Sequence, residues 1–199
     1  MEDLPRFGRR DHVSTSVVFW RRTDIEGLER AELVTQPEGV FPTSTVICLQ
    51  AGGFRLDYRW QLDSEWRTQF VIVERWNRQG RGTLRLEREG TGWRVDGQLR
   101  PDLEGAEEPD LSVTPLCNTF PIRRLIKSTA ETLALDTASI DGSALTIARS
   151  RQRYDRQGPR RFRYVDLGLF SGFEADLVVD AAGLVVHYEH LFERVSVSL

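Results

Sequence analysis

Phe54-Arg55-Leu56-Asp57-Tyr58-Arg59-Trp60-Gln61-Leu62-Asp63 alternates without a break, with five apolar or aromatic residues on one face and five charged or amide residues on the other. Successive side chains of an extended chain point to opposite faces, so this stretch is a strand with one face buried and one in water. Asp63-Ser64 turns the chain, and Trp66 to Asn77 is then β-rich on both faces, as in a central or curved strand. Gln79-Gly80-Arg81-Gly82 breaks that run. Leu84 and Leu86 alternate next, Glu89-Gly90-Thr91-Gly92 turns again, and Trp93, Val95, Gly97 and Leu99 form a further row. Short strands joined in series by tight turns are a β-meander.

The pattern extends both ways. Upstream, Val17–Trp20, Gly27–Val34 and Thr45–Leu49 read as strands. Downstream come Leu133 with Leu135, Leu145 with Ile147, Phe162 with Tyr164, and the row Phe173, Ala175, Leu177 and Val179; a hairpin at Asp180-Ala181-Ala182-Gly183 returns along Leu184 to Tyr188. Only the segment after Pro121, with Ile122, Leu125 and Ile126 on one side, has a helical period. The fold class expected is all-β with a minor helix: a curved antiparallel β-roll or barrel-like sheet with one short helix after Pro121, residues 1–199 forming one domain.

Bulk properties narrow the function classes. A 40% hydrophobic, 29% charged chain is too apolar for disorder and too polar to live in a bilayer. Met1 to Asp11 is charged and lacks an apolar core, which reads against a secretory leader. Cys48 and Cys117, the only cysteines, lie far apart without a C-x-x-C spacing, as expected of free buried thiols in a reducing compartment. The expected location is the cytoplasm. Net charge is −3, against a general nucleic-acid binder, although Lys127 is the only lysine and the other cations are all arginines, which make planar two-point contacts to carboxylates and phosphates.

Four groups of residues are candidates for chemistry. Asp102 to Leu125 interrupts the meander with Pro115 and Pro121; a helix starting at Pro121, preceded by the cap-competent Asn118 and Thr119 and followed by Arg123 and Arg124, could hold a phosphate, sulfate or carboxylate headgroup. The plain alternative is an arginine paired with Asp102, Asp110 or another carboxylate, locking a crossover onto the sheet. Tyr58, Trp60, Trp66 and Tyr188 belong to an aromatic set that either fills the core or lines a ligand cavity; Trp60 and Trp66 flank the polar turn Asp63-Ser64-Glu65, beside Arg59 and Arg67. Arg149 to Arg163 forms a basic ribbon interleaved with Tyr154, Phe162 and Tyr164, which suits RNA, a soluble sheet edge, or transient contact with an anionic membrane surface. His187 and His190, three apart on a strand, fall on opposite faces, so no metal and no cofactor is expected. Cys117 beside Asn118 is a nucleophile candidate with nothing to orient it, and no G-x-S-x-G, P-loop or H-E-x-x-H occurs.

The run Thr114-Pro115-Leu116-Cys117-Asn118-Thr119-Phe120-Pro121-Ile122-Arg123-Arg124-Leu125 resembles a bacterial glycolipid-binding family long filed as a domain of unknown function. Tyr58-Arg59-Trp60 followed by Trp66-Arg67-Thr68 is similar to its early paired-tryptophan region, and Val179 to Val186 with Tyr188 and Arg194 to its C-terminal hairpin. Cys117 stands where that family has threonine, and Ala106 to Pro109 depart from its acidic run. The resemblance implies a spiral β-roll shaped like periplasmic lipoprotein carriers and a role in glycolipid metabolism or transport. The function expected is therefore a non-catalytic binding or carrier protein for a glycolipid or similar amphipathic molecule, held in an apolar cavity or groove by Tyr58, Arg59, Trp60, Trp66, Arg67, Asn118, Arg123, Arg124 and Tyr188. Two alternatives stand beside it: a hydrolase-type enzyme on a glycolipid or sugar phosphate, and RNA binding through Arg149–Arg163.

Overall fold

Fifteen strands form one sheet in the computed structural model, which describes residues 13–196; Met1–Asp11 and His12 lie outside the described residues. β1 (Ser14–Arg22), β2 (Gly27–Gln36), β3 (Gly39–Cys48), β4 (Phe54–Asp63), β5 (Thr68–Asn77), β6 (Gly80–Glu89), β7 (Gly92–Val95) and β8 (Gln98–Leu99) follow one another as antiparallel neighbours. The chain then makes β9 (Glu108–Leu111) and the helix α1 (Leu116–Lys127) before a second meander: β10 (Thr132–Asp141), β11 (Thr146–Gly158), β12 (Arg161–Asp166), β13 (Glu174–Val179), β14 (Val185–Tyr188) and β15 (Phe192–Arg194). β15 pairs with β1, so the two meanders join into one sheet whose free edges are β8 and β9.

The alternation in β4 does what its pattern dictates: Phe54, Leu56, Tyr58, Trp60 and Leu62 are all buried. Four details differ from the sequence reading. β9 pairs parallel to β10, a strand hidden in the stretch read as an interruption, so the sheet is not wholly antiparallel. β5 begins at Thr68, because Trp66 sits in the preceding turn at a positive φ of 64°. Leu145 and His190 likewise occupy turns at positive φ, outside β11 and β14. The helix starts at Leu116, so Pro121 is its sixth residue, where it deletes the bond that an N–H would make to the carbonyl four residues back.

That earlier start changes what fills the roll. Leu116, Cys117, Asn118, Thr119, Phe120, Pro121, Ile122 and Leu125 are all buried, so the first two turns of α1 are enclosed on every side. Phe120 packs edge-on against Trp60 in one apolar cluster, whereas Ile122 and Leu125 belong to a second with Tyr154 and Phe162. The helix, rather than a closed barrel's own side chains, occupies the middle. Side chains also seal the gap beside the β9 edge: Arg124 reaches Glu107 at 3.0 Å and buried Glu108 at 3.8 Å, Arg88 donates to the carbonyls of Thr68 and Glu107, and Trp93 Nε1 donates to Ala106.

Candidate functional site

One end of the roll remains open. The alternating strand directions bring the ends of β1, β3, β12 and β14 to the same end, where a cavity of about 350 Å³ opens among β9, α1 and the loop 167–173. Burial tells its depth. Leu111, Thr114, Asn118 and Asp166 are buried and form the inner end, while Phe170 stands exposed at the mouth. Between them Tyr164, Tyr188, Phe173, Leu191 and Phe192 supply the walls, with Arg22 at the β1 side. Tyr164, Tyr188 and Phe192 contact one another in series as tilted ring pairs, 5.8 and 6.2 Å between centres.

The polar end is organised by two carboxylates. Asp110 accepts from Cys117 Sγ at 2.9 Å and from Gln152 Nε2; Tyr154 donates to Gln152 Oε1 at 3.1 Å and accepts from Asn118 Nδ2 at 2.9 Å. Burial raises the Asp110 carboxyl above its ordinary pKa, with Asp166 adding repulsion, against the lowering by its donors Cys117 and Gln152. Asp166 accepts the N–H groups of Gly168 and Phe170 at 2.8 and 3.0 Å and the Tyr164 hydroxyl at 3.1 Å, so it pins the loop to the wall. The Tyr188 hydroxyl has no hydrogen-bond partner among the described residues. Asn118, Tyr188 and the two aspartates therefore offer donor and acceptor capacity beside aromatic faces, the combination that grips a polyol carrying an apolar face.

Of the nine residues picked from sequence, Asn118 and Tyr188 line this cavity. Tyr58, Trp60 and Trp66 lie in the core around Phe120, with Trp60 Nε1 donating to Thr68 at 2.8 Å. Tyr58 donates to buried Glu29 at 2.6 Å. Arg123 lies 3.9 Å from the Trp66 ring centre and donates to the Ala182 carbonyl, and Arg124 sits in the β9 seam. Arg59 projects outward near Glu74, and Arg67 edges a separate shallow groove with Arg88. The helix start does not form the expected headgroup cradle: Thr114 Oγ1 accepts from the Leu116 N–H at 3.1 Å, and Asn118 points to Tyr154.

Other candidates are also placed. Cys48 and Cys117 are free and buried, and burial together with Asp110 pushes the Cys117 thiol pKa up, away from thiolate chemistry. In the Arg149–Arg163 ribbon, Tyr154, Phe162 and Tyr164 face the core. Arg149 pairs with Asp136, Arg153 with Asp155 and Arg163 with Glu174 and Asp176, so the rings and the cations occupy different faces. Among the described residues no cluster of His, Cys, Asp or Glu has a metal-holding arrangement, and no helix is long and apolar enough to cross a membrane.

Sequence reasoning missed Arg22, Asp110, Tyr164, Asp166, Phe170, Phe173, Leu191 and Phe192 as one set. The legible signal was Asp166-Leu-Gly-Leu-Phe-Ser-Gly-Phe173, in which an aspartate capable of an Asx turn opens a strand connection that is apolar where connections are usually polar.

An unclosed, helix-filled β-roll with an aromatic-walled, polar-ended cavity at one end is the class that fold and site define. Residues 17–194 match the model of the family described as "Putative glycolipid-binding", and the chain belongs to that family. It is also similar to a protein of the DUF1089 family from Pseudomonas aeruginosa, known from a crystal structure: 27% identity, TM-score 0.72, covering 98% of this chain and 100% of that one. A search of curated proteins returned no match.

Proposed function

We propose that the protein is a non-catalytic binding or carrier protein for a sugar-bearing amphipathic molecule, whose polar head occupies the cavity between Asn118 and Tyr188. The observation that carries this reading is the cavity itself, with buried oxygen and nitrogen groups at its inner end and a row of tilted aromatic rings along its wall. Size favours the head over the tails. At about 30 Å³ per water-sized group, 350 Å³ accommodates about a dozen non-hydrogen atoms, one hexose ring and not a pair of acyl chains. The family description points to the same ligand class. Both carboxylates already serve as acceptors for protein donors, which suits positioning more than proton delivery. Two free buried thiols fit a reducing cytoplasm.

The test uses a soluble single-chain glucoside, n-octyl-β-glucoside, below its micelle-forming concentration. Chemical shifts and calorimetry should report saturable binding, weakened about tenfold by Tyr188→Ala or Asn118→Ala through loss of one wall or one hydrogen-bonding group. Arg59→Ala gives the contrast, since Arg59 is exposed on the outer face, outside the cavity. Absence of saturable binding to this glucoside and to related sugar heads would refute the reading, as would equal weakening by Arg59→Ala.

A further inference from the structure

We infer that the open end of the roll docks on the surface of a lipid bilayer, so that a sugar headgroup enters the cavity from the membrane while its acyl chains stay in the lipid. This rests on the headgroup reading above and gives it a direction.

The observation is where the exposed apolar residues lie. Leu167, Leu169 and Phe170 are 41, 52 and 67% exposed, yet their loop is not slack. Asp166 holds the N–H groups of Gly168 and Phe170, Ser150 Oγ accepts from the Leu169 N–H at 3.1 Å, and Leu167 N–H donates to the Arg151 carbonyl. Gly168 allows this close approach, because a Cβ there would meet Ser150 Oγ at 2.4 Å. A loop fixed by these four hydrogen bonds with leucine and phenylalanine turned outward is built to present them. Strand directions place a second apolar group at the same end: Leu28 and Ile47, opposed across β2 and β3, and Leu49, 62% exposed just beyond β3.

Phe170 of the loop lines the cavity mouth with Arg22 at the end of β1, and Leu28, Ile47 and Leu49 edge a separate depression on the outer face at the same end, with Arg21 and Glu26. Two occupants could cover such a rim, a second copy of the chain or a bilayer. The cavity decides for the bilayer. Its volume of about 350 Å³ does not hold a sugar ring and two acyl chains together, so the chains of a glycolipid bound head-first leave through the mouth past the exposed Phe170. Sealing that rim against another protein would shut the only route the ligand's own geometry requires. Insertion of a few leucine and phenylalanine side chains into the acyl boundary needs no strongly basic face.

Flotation with phosphatidylcholine vesicles, with and without a minor fraction of monoglucosyl diacylglycerol, tests this on the full chain. The wild type should float with the glucolipid vesicles and less with phosphatidylcholine alone. The double variant Leu49→Ser/Leu169→Ser, which changes no cavity-lining residue, should lose about tenfold in vesicle affinity and keep wild-type affinity for octyl glucoside, which also certifies its fold. Binding of octyl glucoside without flotation would overturn the docking and leave the cavity reading standing. Flotation with no octyl glucoside binding and no preference for glucolipid would overturn the head-first arrangement together with the cavity reading. A concentration-dependent dimer in lipid-free solution, broken by the same double variant, would overturn the bilayer in favour of a second copy.

Discussion

Replacing Glu29 by glutamine should abolish much of the loss of stability that this protein suffers between weakly acidic and weakly basic pH. Glu29 is buried on β2, and its Oε1 accepts from the Tyr58 hydroxyl at 2.6 Å, Ser44 at 2.8 Å and Thr114 at 3.0 Å, while Oε2 has no partner. Burial is the largest influence and outweighs the three donors, raising the pKa from 4.5 to about 7. The folded state thus keeps a proton that the unfolded chain has released. Stability from this group is full below about pH 4.5, falls as pH rises, and is gone above about pH 7. The shift corresponds to about 3 kcal/mol. Glutamine resembles the protonated carboxyl: its oxygen keeps the three donors, and its amide nitrogen replaces the unpaired Oε2. Urea unfolding of wild type and Glu29→Gln should therefore give similar free energies near about pH 5, and a variant more stable by about 3 kcal/mol near about pH 8. Asp110 and Glu108, also raised by burial, titrate in both proteins and cancel in the difference. A difference that stays constant over this range would refute the assignment of the raised pKa to Glu29.

Other substitutions separate core, seam and site. Trp60→Ala should cost about 3–5 kcal/mol in urea unfolding, since a fully packed indole and its bond to Thr68 are lost, whereas Arg59→Ala, exposed to water on the outer face, should stay within about 0.5 kcal/mol. Arg124→Ala leaves Glu108 buried beside Arg88 alone and should destabilise by about 3 kcal/mol, partly recovered by adding Glu108→Gln; no recovery in the double variant would show that the seam does not depend on that charge pair. Gly168→Ala must push the loop off Ser150, so amide exchange should rise at Leu167, Gly168, Leu169 and Phe170, and octyl glucoside affinity should fall with it; unchanged exchange there would mean that the loop is not held as described.

The strands were legible because their rule is local. Period-two burial in β4 needs only the pleat, and the register of β4 against β3 and β5 follows once the turns at Gln50–Gly52 and Ser64 are placed. β9 was not, because Glu-Pro-Asp-Leu carries no strand propensity; its pairing with Ala138 and Ser139 of β10 is a tertiary decision. The helix start was displaced by the strongest local signal available, Pro121 after two capping residues. Burial of Cys117, Asn118 and Thr119 inside the roll overrides it, since enclosure on all sides stabilises the first turns more than a cap at Asn118 would. For the site, sequence could nominate Asn118 and Tyr188 by type and by resemblance, but nothing along the chain says that residues 118 and 188 meet, or that Trp60 and Trp66 turn to Phe120 instead.

A filled middle and an open end have one cause. Because β9 runs parallel to β10, the chain cannot pass between them by a hairpin and must cross, and the crossing it uses is α1, laid through the interior. The helix supplies the apolar bulk that a closed barrel would draw from its own inward faces, so the sheet can stop at β8 and β9 without closing. Its first turn and the residues just before it, however, bring Thr114, Cys117 and Asn118 to the level where β12 and β14 end, and there the filling is polar. Asp110 and Asn118 line this cavity, and the bonds they make to Cys117, Gln152 and Tyr154 leave part of their hydrogen-bonding capacity unused. Burying those groups dry would cost on the order of 1–3 kcal/mol each, so the cavity is stable as a wet or liganded site and not as packed core. The same crossover that gives the roll its interior therefore leaves a polar-ended cavity of about 350 Å³ at one end, beside a hydrogen-bonded loop that exposes Leu167, Leu169 and Phe170.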